Sequence, residues 1–160
     1  GVDLMGIARA LVNNLMGGDL EGASTITQQF VRNTILADEM TDISFKRKIR
    51  EMYISLELEK MYSKDEILLM YLNTIYYGSN YYGIGAASED YFGKRPRDLA
   101  LPESAMLAGL PNAPSLYSPY VDFMMAKKRQ FIVLDAMVSC GFIDKTMAED
   151  AKIKPLYLAH

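Results

Sequence analysis

The chain has 160 residues, a net charge of −3 and hydrophobic side chains at 50% of its positions, enough to bury a core without disulfide staples. One cysteine, one histidine and no HExxH or CxxC spacing exclude a transition-metal site, leaving only a carboxylate-held hard cation such as magnesium. The acidic balance argues against a general nucleic-acid binder, and no run of about 18 apolar residues is present to span a bilayer.

In chain order, "LMGIARALVNNLM" is amphipathic at helical period and ends at Gly17 and Gly18. A second helix opens at Ser24 in "GASTITQQF" and fades near Ala37, after which "DEMTDIS" reads as a polar connection. Ser44 caps a third helix that carries an apolar stripe at Phe45, Ile49, Met52 and Leu56 and runs to Met61. "SKDE" at 63 to 66 is a capping box, Ser63 at the cap and Glu66 reaching back. The helix it starts continues through "ILLMYLNTIYY" as far as Gly78.

"GSNYYGIGAASEDYFG" is a tyrosine-rich turn leading into a short helix, and "LPESAMLAGL" is another, with Pro102 acceptable in its first turn. Pro111, Pro114 and Pro119 prevent continuous helix through "PNAPSLYSP". A helix from Phe123 to Ser139 and a short one from Asp144 to Ala151 complete an all-α domain. Cys140, inside "FIVLDAMVSCGFI", reads as a buried small hydrophobe. The load of 11 Met and 11 Tyr suits a body with one face for lipid, a Met-rich core being the alternative.

Two stretches carry chemistry. Ser24, Gln28 and Arg32 fall at i, i+4 and i+8 and make one polar ridge; the plainer reading makes Ser24 a helix cap and the others solvent-facing residues. In "FKRKIRE", Lys46, Arg47, Lys48 and Arg50 crowd one stretch, with Arg47 and Lys48 one helical turn from Glu51. A ridge facing that basic helix makes a groove of amide, hydroxyl and cationic groups around one carboxylate, suited to a sugar bearing a phosphate or diphosphate.

"GASTITQQ", "RKIRE", "KDEILLMYLNTIYYG" and "AMLAGLPNAPS" resemble, in sequence and order, motifs of the peptidoglycan glycosyltransferases, glycosyltransferase family 51. The resemblance covers nearly the whole chain. It implies a lysozyme-like, all-α fold with a head lobe and a smaller membrane-associated jaw. It also implies polymerisation of lipid II into glycan strands at the outer face of the bacterial cytoplasmic membrane, beside a transpeptidase domain when the parent is a class A penicillin-binding protein. By the same resemblance Ser24, Gln28, Gln29 and Arg32 hold sugar and phosphate groups, and Lys48, Arg50 and Arg129 face the donor's diphosphate. Glu51 matches the family's second essential carboxylate, whose two open roles are to orient those cations or to hold a divalent ion. No organic cofactor and no nucleic-acid partner are implied.

Two departures from the family pattern stand out. The first motif, of the form E-D-x-x-F-x-x-H-x-G, holds the catalytic Glu; the sequence starts at its final glycine, so the general base is expected to be missing and the chain alone to polymerise no lipid II. The stretch between Asn33 and Arg47 is longer than usual and lacks a clear match to the family's arginine there, with Met40 near its place and Lys46 as a substitute. The rival readings are a lytic transglycosylase, which would not need the basic cluster, and a noncatalytic module binding anionic lipid through residues 46 to 50. The apolar residues Ile35, Leu36, Met40, Ile43 and Phe45 are expected to stay exposed for the membrane.

Overall fold

The computed structural model describes Asp3, Met5 and residues 24–39 and 44–160. Regular structure among them is helical: eight α-helices and three short 3-10 turns, with one isolated antiparallel bridge between Tyr76 and Tyr82. The all-α expectation holds. Apart from Met5, the helix expected over residues 4–16 lies outside the described residues, as do Met40 and Ile43. The chain forms two compact units, Gly1–Thr74 and Ile75–His160.

In the first unit α1 spans Ile26–Asn33, α2 Phe45–Met61 and α3 Lys64–Thr74. The cap of α1 is Thr25, not Ser24: Gln28 donates its backbone N–H to Thr25 Oγ1 at 3.3 Å, and Thr25 N–H donates to Gln28 Oε1 at 2.9 Å. Only Thr25 has a glutamine three residues on, so only there can two orphan donors be satisfied reciprocally. The helix stops at Asn33, short of Ala37; Thr34 turns its hydroxyl back to the Phe30 carbonyl at 2.7 Å and leaves helical geometry. Ser44 caps α2 as expected, accepting from Arg47 N–H at 3.2 Å, and the Ser63–Glu66 box opens α3.

Spacing alone would turn the apolar stripe of α2 inward, but Phe45 is 80% exposed and Ile49 and Leu56 are also exposed, whereas Glu51 and Ser55 are 0% exposed. The reason is the partner. Helix α1 packs against both α2 and α3 and buries Thr27, Gln28 and Val31. A surface that offers hydroxyl and amide groups matches the polar face of α2. Thr27 donates to Glu59 Oε1 at 2.5 Å, and Ser55 returns its hydroxyl to the Glu51 carbonyl at 2.7 Å.

In the second unit α4 spans Ile84–Phe92, α5 Leu101–Gly109, α6 Pro114–Tyr117, α7 Phe123–Ser139 and α8 Lys145–Ile153. Helical structure ends at Thr74 instead of continuing to Gly78, because residues 75–83 form a hairpin. Gly83 N–H donates to the Ile75 carbonyl and Tyr77 N–H to the Tyr81 carbonyl, both at 2.9 Å. Its tip needs Gly78: φ is +85°, and an added Cβ would lie 2.8 Å from the Pro114 carbonyl oxygen. Helices α5, α7 and α8 pack on Ala105, Leu134, Ala148 and Ala151. Cys140 is exposed, correcting the expectation of burial. The stripe that α7 buries is Ala126, Gln130 and Leu134, and the chain turns at Cys140 into Gly141.

Candidate active site

A fully buried carboxylate dominates the first unit. Glu51 Oε2 accepts from Arg47 Nη1 at 3.0 Å, and Glu51 Oε1 accepts from Lys48 Nζ. Both cations come from the preceding turn of α2, at the i+4 and i+3 spacing that "RKIRE" provides. Two cations offset the desolvation that a lone buried carboxylate would suffer. Lys48 Nζ also donates to Ser24 Oγ at 3.0 Å, so one ammonium joins the residue preceding the α1 cap to the buried acid. Its side chain remains 31% exposed, leaving the cation within reach of an anion.

Ser24, Lys48 and Glu51 are therefore brought together, with Arg47 completing the cluster. Gln28 is buried rather than part of an exposed ridge; its Oε1 caps Thr25 and its Nε2 has no hydrogen-bond partner. Gln29 Nε2 donates to the Ser24 carbonyl at 3.2 Å, and Gln29 Oε1 accepts from Tyr71 at 3.2 Å. Burial pushes the Tyr71 phenol above its ordinary pKa, and the Arg32 charge works the other way.

Arg50 is turned away from this cluster. It lies one residue from Glu51, about 100° around the helix, and pairs with Glu39 at 2.5 Å on the surface. Lys46 is exposed. Arg129 belongs to the second unit, where its guanidinium lies 5.7 Å from the Tyr117 ring centre and its stem packs over Gly109. The surroundings of Glu51 do not fit a divalent cation. Both carboxylate oxygens already hold cationic partners, and no group of three or more acidic, His or Cys side chains suited to a metal occurs among the described residues.

The family model for transglycosylases matches residues 1–138. The chain belongs to the transglycosylase family. It is 44% identical over 158 residues to penicillin-binding protein 1A of Neisseria flavescens, covering 98% of this chain and 19% of that protein. It is 45% identical over 154 residues to penicillin-binding protein 1A/1B of Bacillus subtilis, covering 95% of this chain and 16% of that one. Among solved structures, penicillin-binding protein 1A from Haemophilus influenzae matches with a TM-score of 0.59 and 37% identity, over 62% of this chain and 15% of the other. The chain thus spans about a fifth of the length of the Neisseria relative, 19%.

Sequence reasoning paired Arg47 and Lys48 with Glu51 from their spacing, but it left Arg47 out of the site. It missed Tyr71 entirely. That tyrosine stands 42 positions from Gln29, and only packing of α1 on α3 brings the two together.

Proposed function

We propose that the chain is the glycan-polymerising part of a bifunctional penicillin-binding protein, extending peptidoglycan strands from lipid II. The observation that carries this reading is the ammonium of the partly exposed Lys48 side chain, held between Ser24 Oγ and the buried carboxylate of Glu51. A fixed cation of this kind stabilises charge that develops on a departing diphosphate. In the proposed reaction the acceptor's GlcNAc 4-oxygen bonds to C1 of the donor MurNAc with inversion, and the bond from C1 to the diphosphate oxygen breaks. Undecaprenyl diphosphate leaves with that electron pair, and the hydroxyl proton passes to a general base.

The base is assigned to the family's first motif, E-D-x-x-F-x-x-H-x-G, which the 160 residues do not contain. On the leaving-group side Lys48 and Arg47 then act as cations, Glu51 as their anchor, and Ser24 and Arg32 as hydrogen-bonding groups for sugar and phosphate, while the buried Gln28 and the engaged Gln29 amide support them from behind. Arg50 and Arg129 are proposed as outer contacts of the donor. The lysozyme-like division into head and jaw, and a transpeptidase domain elsewhere in the full protein, belong to the same reading.

No helix among the described residues is long and apolar enough to cross a membrane. Contact of this region with the outer face of the cytoplasmic membrane is assigned to exposed apolar residues beside the site, with a transmembrane anchor expected elsewhere in the full protein. Ile35, Phe45, Ile49 and Tyr53 are exposed; Leu36, at 3%, is not and drops from the set.

The deciding experiment is incubation of the full-length protein with lipid II, followed by separation of the products by length. Polymerisation that slows about 10²-fold on replacing Lys48 with Met is the expected result. Cleavage of preformed glycan, or binding to anionic vesicles without any reaction, overturns the reading.

A further inference from the structure

The hydrogen bonds around Ser24 extend beyond Lys48. Tyr71 on α3 donates its phenol to Gln29 Oε1 at 3.2 Å, and Gln29 Nε2 donates to the Ser24 carbonyl at 3.2 Å. The amide's orientation follows from what it faces: a carbonyl can only accept, so the NH₂ end must point at Ser24 and the oxygen at Tyr71. Ser24 precedes the Thr25 cap and so lies outside the helical ladder of α1. The Gln29 side chain is a clamp on its peptide group. Ser24 Oγ then receives Lys48 Nζ, whose other bond goes to Glu51.

We infer that Tyr71 is a positioning residue for glycosyl transfer: its phenol locks the Gln29 carboxamide, which holds Ser24, which seats the Lys48 ammonium for the departing diphosphate. Tyr71 is 8% exposed and acts through these neighbours without touching substrate. The inference rests on the transferase reading above.

The test measures lipid II polymerisation by the full-length protein and its Tyr71→Phe, Gln29→Met and doubly substituted forms. Phenylalanine keeps the ring in the core and removes only the donor. Each single substitution should lower kcat about 10-fold through misplacement of the cation, with KM and melting temperature little changed. The double form should be no slower than either single one, because both break the same chain of bonds.

Losses that multiply in the double form, or a Tyr71→Phe protein with wild-type kcat, overturn the relay. So does a loss that tracks a fall in melting temperature. If Tyr71→Phe does not fold, Gln29→Met decides alone: wild-type kcat in that protein refutes the clamp. A wild-type protein that leaves lipid II intact overturns the functional reading itself, and the relay with it.

Discussion

Lys48 Nζ lies 3.0 Å from Ser24 Oγ, spanning 24 positions of sequence, and it also bonds the buried Glu51. Replacing Lys48 with Met removes a directed cation while Arg47 still holds Glu51. Under the transferase reading kcat for lipid II should fall about 10²-fold, the scale of one lost transition-state donor. Steady-state polymerisation by the full-length protein checks it.

Removing the acid instead should be felt as instability. Glu51→Gln leaves Arg47, only 11% exposed, facing a neutral amide. Breaking a buried ion pair from one side costs about 3 kcal/mol. Urea denaturation at neutral pH should show that loss, and an unchanged midpoint would mean the pair contributes nothing net.

The outer face of α2 makes the opposite prediction. Phe45 and Tyr53, 80% and 64% exposed, should be replaceable together by serine at a cost far below the roughly 1.5 to 3 kcal/mol of a buried apolar side chain. Binding of residues 1–160 to liposomes should weaken. Unfolding of the double variant would identify these side chains as core.

Tyr120 supplies a pH test in the second unit. Its hydroxyl donates to the Asp90 carbonyl at 2.8 Å; burial of that group, together with the Asp90 charge, raises its pKa to about 12. A folded-state pKa above the unfolded value of about 10 means the neutral phenol is favoured by folding. Its contribution is complete below about pH 10 and is lost as pH rises through about 12. Urea midpoints should therefore fall less steeply across that window in Tyr120→Phe than in the unchanged protein.

Cys140 should react readily with a thiol reagent in the native state, since it is exposed beyond the end of α7. Modification that required denaturant would restore the buried reading.

Legibility in the sequence followed the range of the interactions. Ser44 and the Ser63–Glu66 box were readable because each bonds within three residues of itself. Glu51 and its two cations were readable from helical spacing. The inward face of α2 was not, since spacing separates two faces without saying which one the neighbour prefers. Continuous apolar pattern through Thr74, Ile75, Tyr76 and Tyr77 hid the hairpin, although β-branched and aromatic residues favour extended backbone. Arg50 was assigned to the diphosphate by the family resemblance, which says nothing of the helix face it occupies, and it pairs with Glu39 instead of joining Glu51. Tyr71 offered no local sign of its link to Gln29.

The polar inner face of α2 also limits how the helix can slide. Hydrocarbon surfaces tolerate slippage because any methyl group can replace another. A ratchet of α2 along α1 by one turn, about 5.4 Å, would pull Lys48 away from Ser24 and Glu59 away from Thr27 together. Two directional pairs therefore mark one register where a greasy interface would mark none, and the outer apolar stripe can change partners without disturbing them.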